Sequence, residues 1–132
     1  MKILLDTHAF LWMLMDSRKL SLAAVEALES PSNDGYVSAA TFWEISLKHS
    51  VGKLDLDTKV PADLVVAAKE ELGLSLLPIS PEQASTMGNI PRLHGDPFDR
   101  MLIHQAIDGR FHLVSADRAF SKYEPYGLKR LW

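Results

Sequence analysis

Four acids carry whatever chemistry this sequence can do: Asp6, Glu44, Asp99 and Asp117. Taken singly, each has a structural explanation. Asp6 and Asp117 suit helix N-caps, Glu44 follows Thr41 at the capping-box spacing, and Asp99 follows Asp96 at the same spacing, where an acid complements the helix dipole. Taken together they point elsewhere. Carboxylates packed at one place repel, drive some pKa values up and destabilise the fold unless cations neutralise them. Hard oxygen donors at that density suit magnesium or manganese. Ions so held make water a nucleophile near neutral pH and stabilise the charge that builds on a phosphodiester during in-line displacement. The candidate reaction is phosphodiester hydrolysis without a covalent protein intermediate.

Whether the acids meet depends on the elements that carry them. Ile3, Leu4 and Leu5 run without alternation into Asp6, the pattern of a strand buried on both faces of a parallel sheet. Ala9 to Met15 reads as a helix apolar nearly all round, hence buried. Ser21 caps a helix over Leu22 to Leu28, and the loop 30–35 leads to a strand at Tyr36 to Ser38. A helix over Thr41 to Lys48 follows, with Phe42, Ile45 and Leu47 assigned to the core. Residues 51–59 read as a connection. Pro61 opens a helix that ends before Gly73, and Leu74 to Ile79 returns to strand. Ser80, Pro81 and Gln83 start another helix, ending near 88–91, and Asp96-Pro97 opens one that runs to Gly109. Phe111 to Ser115 reads as strand, Asp117 to Tyr123 as a short helix and Leu128 to Trp132 as a last strand. Strands alternating with helices imply an α/β fold with a parallel sheet covered on both faces. Such sheets bind ligands outside the carboxyl ends of their strands, and crossover helices begin at that same edge. Asp6, Glu44, Asp99 and Asp117 are the acids this rule gathers there.

Composition sets looser bounds. The chain has 132 residues, 47% of them hydrophobic, enough for one domain with a core of its own. The absence of cysteine excludes disulfides and thiolate metal sites, and suits the cytoplasm. No apolar run is long enough to span a membrane, and Asp6 and His8 interrupt any signal-like segment. The net charge of −3 argues only weakly against a nucleic-acid partner, because without the four candidate ligands 13 acids stand against 14 Lys and Arg.

Leu4-Leu5-Asp6-Thr7, Trp43-Glu44-Ile45, the segment Asp96 to Ile103 and Leu113-Val114-Ser115-Ala116-Asp117 resemble the acidic motifs of PIN domains, in particular VapC-type toxins of bacterial or archaeal toxin-antitoxin pairs. The resemblance covers essentially the whole chain, and four motifs in the family's order are more specific than any one. It implies a single three-layer α/β/α PIN domain over residues 1–132, with a parallel sheet of about five strands in the order 3-2-1-4-5. It further implies a Mg2+- or Mn2+-dependent endoribonuclease, a homodimer, and inhibition by a small cognate antitoxin that inserts a segment near the active site. Matching motif positions make Asp6, Glu44, Asp99 and Asp117 the acidic set, with Ser115 supporting Asp117 or a water. The segment that holds Asp99 also holds Asp96; motif alignment favours Asp99 at the metal and Asp96 as the helix cap.

The remaining candidates are subsidiary. The five histidines form no zinc spacing, but His94 lies beside the expected edge with Arg92 and Arg100, where contact with RNA phosphate is open to them. Lys48, Lys53 and Arg118 suit a basic rim. Phe10, Trp12, Phe42 and Trp43 suit the core or a dimer interface better than base stacking. No glycine-rich phosphate loop is present. Two other classes compete: a catalytically silent PIN-like interaction module, and a Mg2+-binding phospho-accepting receiver-like domain. The receiver would require paired acids after the first strand and a lysine after a late one. A dehalogenase-type phosphatase would require a second Asp at position 8, which is His.

Overall fold

The computed structural model describes residues 1–132, and its centre is β1 (Lys2–Leu5), which pairs in parallel with β2 (Asp34–Ser38) on one side and β4 (His112–Val114) on the other. β3 (Ser75–Leu77) extends the sheet beyond β2 and β5 (Lys129–Leu131) beyond β4, both parallel, so the order is β3-β2-β1-β4-β5. This is the expected order. The chain winds one way from β1 to β3 and the other way from β4 to β5, leaving a topological switch between β1 and β4.

Six helices connect the strands: α1 (Thr7–Met15), α2 (Leu22–Glu29), α3 (Ala39–Ser50), α4 (Pro61–Glu70), α5 (Pro81–Ser85) and α6 (Pro97–Gly109). Their starts follow local rules. Ser21 accepts from the Ala24 amide, Ser80 and Gln83 form a reciprocal capping box, and Asp96 accepts from the amides of Phe98 and Asp99. Two expectations are corrected. α3 begins two residues before Thr41 because Ser38 caps it, so Glu44 lies past the first turn and forms no capping box. The segment after Asp117 is a 3-10 helix, Arg118–Tyr126, longer than the expected short helix and carrying Pro125. α6 ends at Gly109 as expected, and Arg110 adopts the left-handed conformation (φ 56°) which releases the chain into β4.

The sheet separates two cores, which explains the unalternating run in β1. Ile3 and Leu5 face a cluster with Ala9, Phe10, Ala24, Ile45 and Leu64, while Leu4 faces Leu102, Ile103, Ala106, Phe120 and Tyr123. All three β1 side chains have no exposed surface. Full burial of a side chain of this size stabilises by about 1.5–3 kcal/mol. Two core assignments fail at the periphery. Leu47 is 48% exposed, because it lies two residues beyond Ile45 and so on the opposite side of α3, and Met15 is 53% exposed where α1 outruns its cover. No helix is long and apolar enough to cross a membrane.

Candidate metal centre

Asp6 leaves β1 at the switch point. Its amide donates to Val114 O of β4 at 3.0 Å, which pins the start of α1 against the neighbouring strand. Its carboxylate is 5% exposed, and Oδ1 accepts from the Ala9 amide at 2.7 Å as the N-cap of α1. Capping occupies one oxygen and leaves the other. Burial pushes the Asp6 carboxyl above its ordinary range; Ser115, the Ala9 amide and His8 oppose that rise, while the negative charge of Glu44 adds to it.

Asp117 reaches the same edge from β4. Its Oδ1 caps the 3-10 segment through the Ala119 amide, and its own amide donates to Ser115 Oγ at 3.1 Å. Ser115, fully buried, therefore supports Asp117 through the backbone. Asp6 and Asp117 line one open cleft of about 290 Å³ together with His8, Trp12 and Ala116.

Asp99 arrives from the first turn of α6. The structure separates it from Asp96: Asp96 Oδ1 takes both free amides at the helix start, whereas Asp99 Oδ2 meets His94 Nε2 at 2.8 Å. Ligand atoms of His94, Asp99 and Asp117 all lie within 4.8 Å of one another. Burial lifts the Asp99 carboxyl to about 6 even with His94 pulling down, and the negative charges of Asp96 and Glu44 contribute to the rise. Its displacement marks a site where anionic oxygens are crowded and short of positive charge.

Glu44 is placed differently. It is 3% exposed; Oε1 accepts from the Thr7 hydroxyl at 2.8 Å and Oε2 pairs with the Lys48 ammonium one turn along α3. Thr7 has one hydroxyl proton, so the 3.2 Å contact between Thr7 Oγ1 and Thr41 Oγ1 runs from Thr41 to Thr7 to Glu44. Both Glu44 oxygens thus have protein partners, although its charge is felt by both Asp6 and Asp99. The hydrogen-bonded Glu44 carboxylate raises the Lys48 pKa against the opposing effect of burial, and the charges of Asp96 and Asp99 add to the rise.

The four acids therefore share one edge without forming one equal cage. Asp99 and Asp117 meet His94, Asp6 shares the cleft with Asp117, and Glu44 is tied to Thr7 and Lys48. Arg100 turns toward the carbonyls of Met87 and Ile90, and Arg92 is exposed. Thr7, Thr41 and the Glu44 partnership of Lys48 were not anticipated. Thr7 directly follows Asp6, and a hydroxyl at a helix start beside a candidate ligand is the signal that marks it. The residues present fit a divalent cation: they are hard oxygen donors and one imidazole, they come from the elements the fold directs to one edge, and their carboxyl pKa values are raised in the way an added positive charge would reverse.

Fold and site together define an α/β protein with a cluster of carboxylates at the switch point of a parallel sheet. The chain belongs to the PIN domain family, whose model matches residues 3–124. It is 29% identical over 117 residues to Ribonuclease VapC22 of Mycobacterium tuberculosis, covering 88% of this chain and 87% of that relative. Among solved structures it is similar to VapBC2 from Rickettsia felis bound to a promoter DNA fragment (TM-score 0.70, 15% identity, 98% of this chain and 97% of that one). It is also similar to DNA-bound VapBC from Salmonella typhimurium (TM-score 0.66, 18% identity, 98% and 96%). At those identities the likeness is one of fold.

Proposed function

We propose that this chain is a metal-dependent endoribonuclease that serves as the toxin of a toxin-antitoxin pair in the cytoplasm. The observation that carries the reading is the convergence of Asp6, Asp99 and Asp117 at the β1/β4 switch, in a chain of the PIN family whose curated relative is a ribonuclease. In this reading Asp6, Asp99 and Asp117 hold a magnesium or manganese ion, and Glu44 supplies further negative charge beside it. When bound, the ion supplies a nucleophile from water and stabilises the charge of the phosphodiester transition state.

The chain's own groups do the positioning. Capping engages one oxygen of Asp6 and one of Asp117, which orients each carboxylate and leaves its other oxygen for the ion. Thr7 and Lys48 hold Glu44 in one place and offset its charge. The Thr7 hydroxyl is buried and already donates to Glu44, so it is not a free nucleophile, in keeping with direct hydrolysis.

Trp43, Leu47 and Val51 lie at i, i+4 and i+8 of α3 and its end, all more than 45% exposed, and form an apolar stripe suited to cover by another polypeptide. The reading assigns such cover to the small antitoxin and to a second copy of this chain. The test is an RNA cleavage assay with purified protein. Cleavage of single-stranded RNA with Mn2+ or Mg2+ that stops on adding chelator supports the proposal; absence of cleavage under all metal conditions, by folded protein free of antitoxin, overturns it.

A further inference from the structure

His94 departs from an all-carboxylate centre. Nothing in the strand-end rule places a histidine there, yet the loop before α6 holds its ring in a defined position from two sides. The Leu93 amide donates to Tyr123 Oη at 3.0 Å, and the His94 ring stands edge-on to Phe120, centroids 5.3 Å apart at 85°. Phe120 and Tyr123 are 1% and 0% exposed, and both belong to the 3-10 segment that Asp117 caps. His94 and Asp117 are thus mounted on one packed unit, and Asp99 faces them from α6. His94 Nε2 and Asp99 Oδ2 are 2.8 Å apart, close to the roughly 3 Å between neighbouring donors about a six-coordinate ion with bonds of about 2.1 Å, and an Asp117 oxygen lies within 4.8 Å of both residues' ligand atoms.

The geometry points to His94 as a nitrogen ligand that completes the centre with Asp99 and Asp117 and biases it toward a first-row transition ion over magnesium. The inference rests on the reading of these acids as a cation site. Its chemistry is that of the imidazole: a borderline donor that binds transition ions well, whereas magnesium favours oxygen and retains its waters. The competing arrangement keeps Nε2 hydrogen-bonded to Asp99 and off the ion, where it merely orients the carboxylate.

The two arrangements separate spectroscopically without reference to activity. The full chain is loaded with less than one equivalent of Mn2+ and its electron spin-echo envelope modulation recorded. Nitrogen coupling is expected, changing from the 14N to the 15N pattern when histidine is 15N-labelled. The coupling is expected to vanish in His94→Ala and in the bulkier His94→Gln, and to persist in His8→Ala, since His8 packs on Trp12 across the cleft. Mn2+ affinity of His94→Ala is expected to fall at least about tenfold, with a smaller change for Mg2+. Mn2+ bound to the wild type without histidine nitrogen coupling, or coupling that survives both His94 variants, overturns the assignment while leaving the acidic site standing. A wild type that binds no Mn2+ overturns both.

Discussion

The Thr7 hydroxyl donates to Glu44 Oε1 at 2.8 Å, joining the first residue of α1 to the first half of α3 through a buried contact 37 positions apart in sequence. Together with the Lys48 ion pair, the contact lets a glutamate sit 3% exposed beside two aspartates. Replacing Thr7 by Val keeps the shape and removes the donor, leaving Glu44 Oε1 unpaired; such a loss costs about 1–3 kcal/mol. A lower denaturation midpoint is expected for Thr7→Val, with much of the loss absent when Glu44→Met, which has no acceptor oxygen, is already present, because the pair is coupled. Equal losses in both backgrounds would show that Thr7 acts by packing alone.

Asp96 and Asp99 should separate cleanly. Asp96→Ala removes the cap of α6 and is expected to lower stability by about 0.5–2 kcal/mol while leaving Mn2+ binding largely intact. Asp99→Asn is expected to lose Mn2+ affinity with little loss of metal-free stability, since it removes a charge that burial disfavours. Thermal melts with and without Mn2+ read both effects. A reversed pattern would make Asp96 the residue at the ion.

Metal dependence should vary with pH in a direction set by Asp99. Its folded carboxyl titrates at about 6, above the ordinary 3.8, so the folded state holds its proton longer than the unfolded one. Stability from this group is therefore present at low pH and lost as pH rises through that interval; Asp6 is shifted the same way. A divalent ion reverses the penalty only once the carboxylates are ionised. The Mn2+-induced rise in Tm is expected to be larger near about pH 7.5 than near about pH 5. An equal or larger rise at the lower pH would argue against Asp99 as a ligand.

Much of this arrangement was legible in the residues. The run Ile3-Leu4-Leu5 announced a strand buried on both faces because its neighbours were to be found on both, and the caps at Ser21, Ser80 and Asp96 announced helix starts through local hydrogen bonding. The strand order followed from the motif resemblance, not from periodicity. Less legible was anything decided by side chains distant in sequence. Glu44 sits at the capping-box spacing from Thr41, yet Ser38 starts the helix and Thr41 turns to Thr7. The aspartate caps were correctly read, but capping uses one oxygen and leaves the other, so cap and ligand were never exclusive roles. His94 carried no spacing signal, because its partners come from α6 and from the segment after β4.

The central claim is that Asp6, at the end of β1, anchors a cation centre that hydrolyses RNA, and Asp6→Asn tests it most directly. Asparagine keeps an oxygen for the Ala9 amide and removes the buried charge, so the fold is expected to hold. The decisive measurement is cleavage of end-labelled RNA by folded wild type and Asp6→Asn in Mn2+, with a chelator control. Cleavage by the wild type, stopped by chelator and abolished in Asp6→Asn, is the predicted result; full activity in the variant, or cleavage indifferent to chelator, would contradict it.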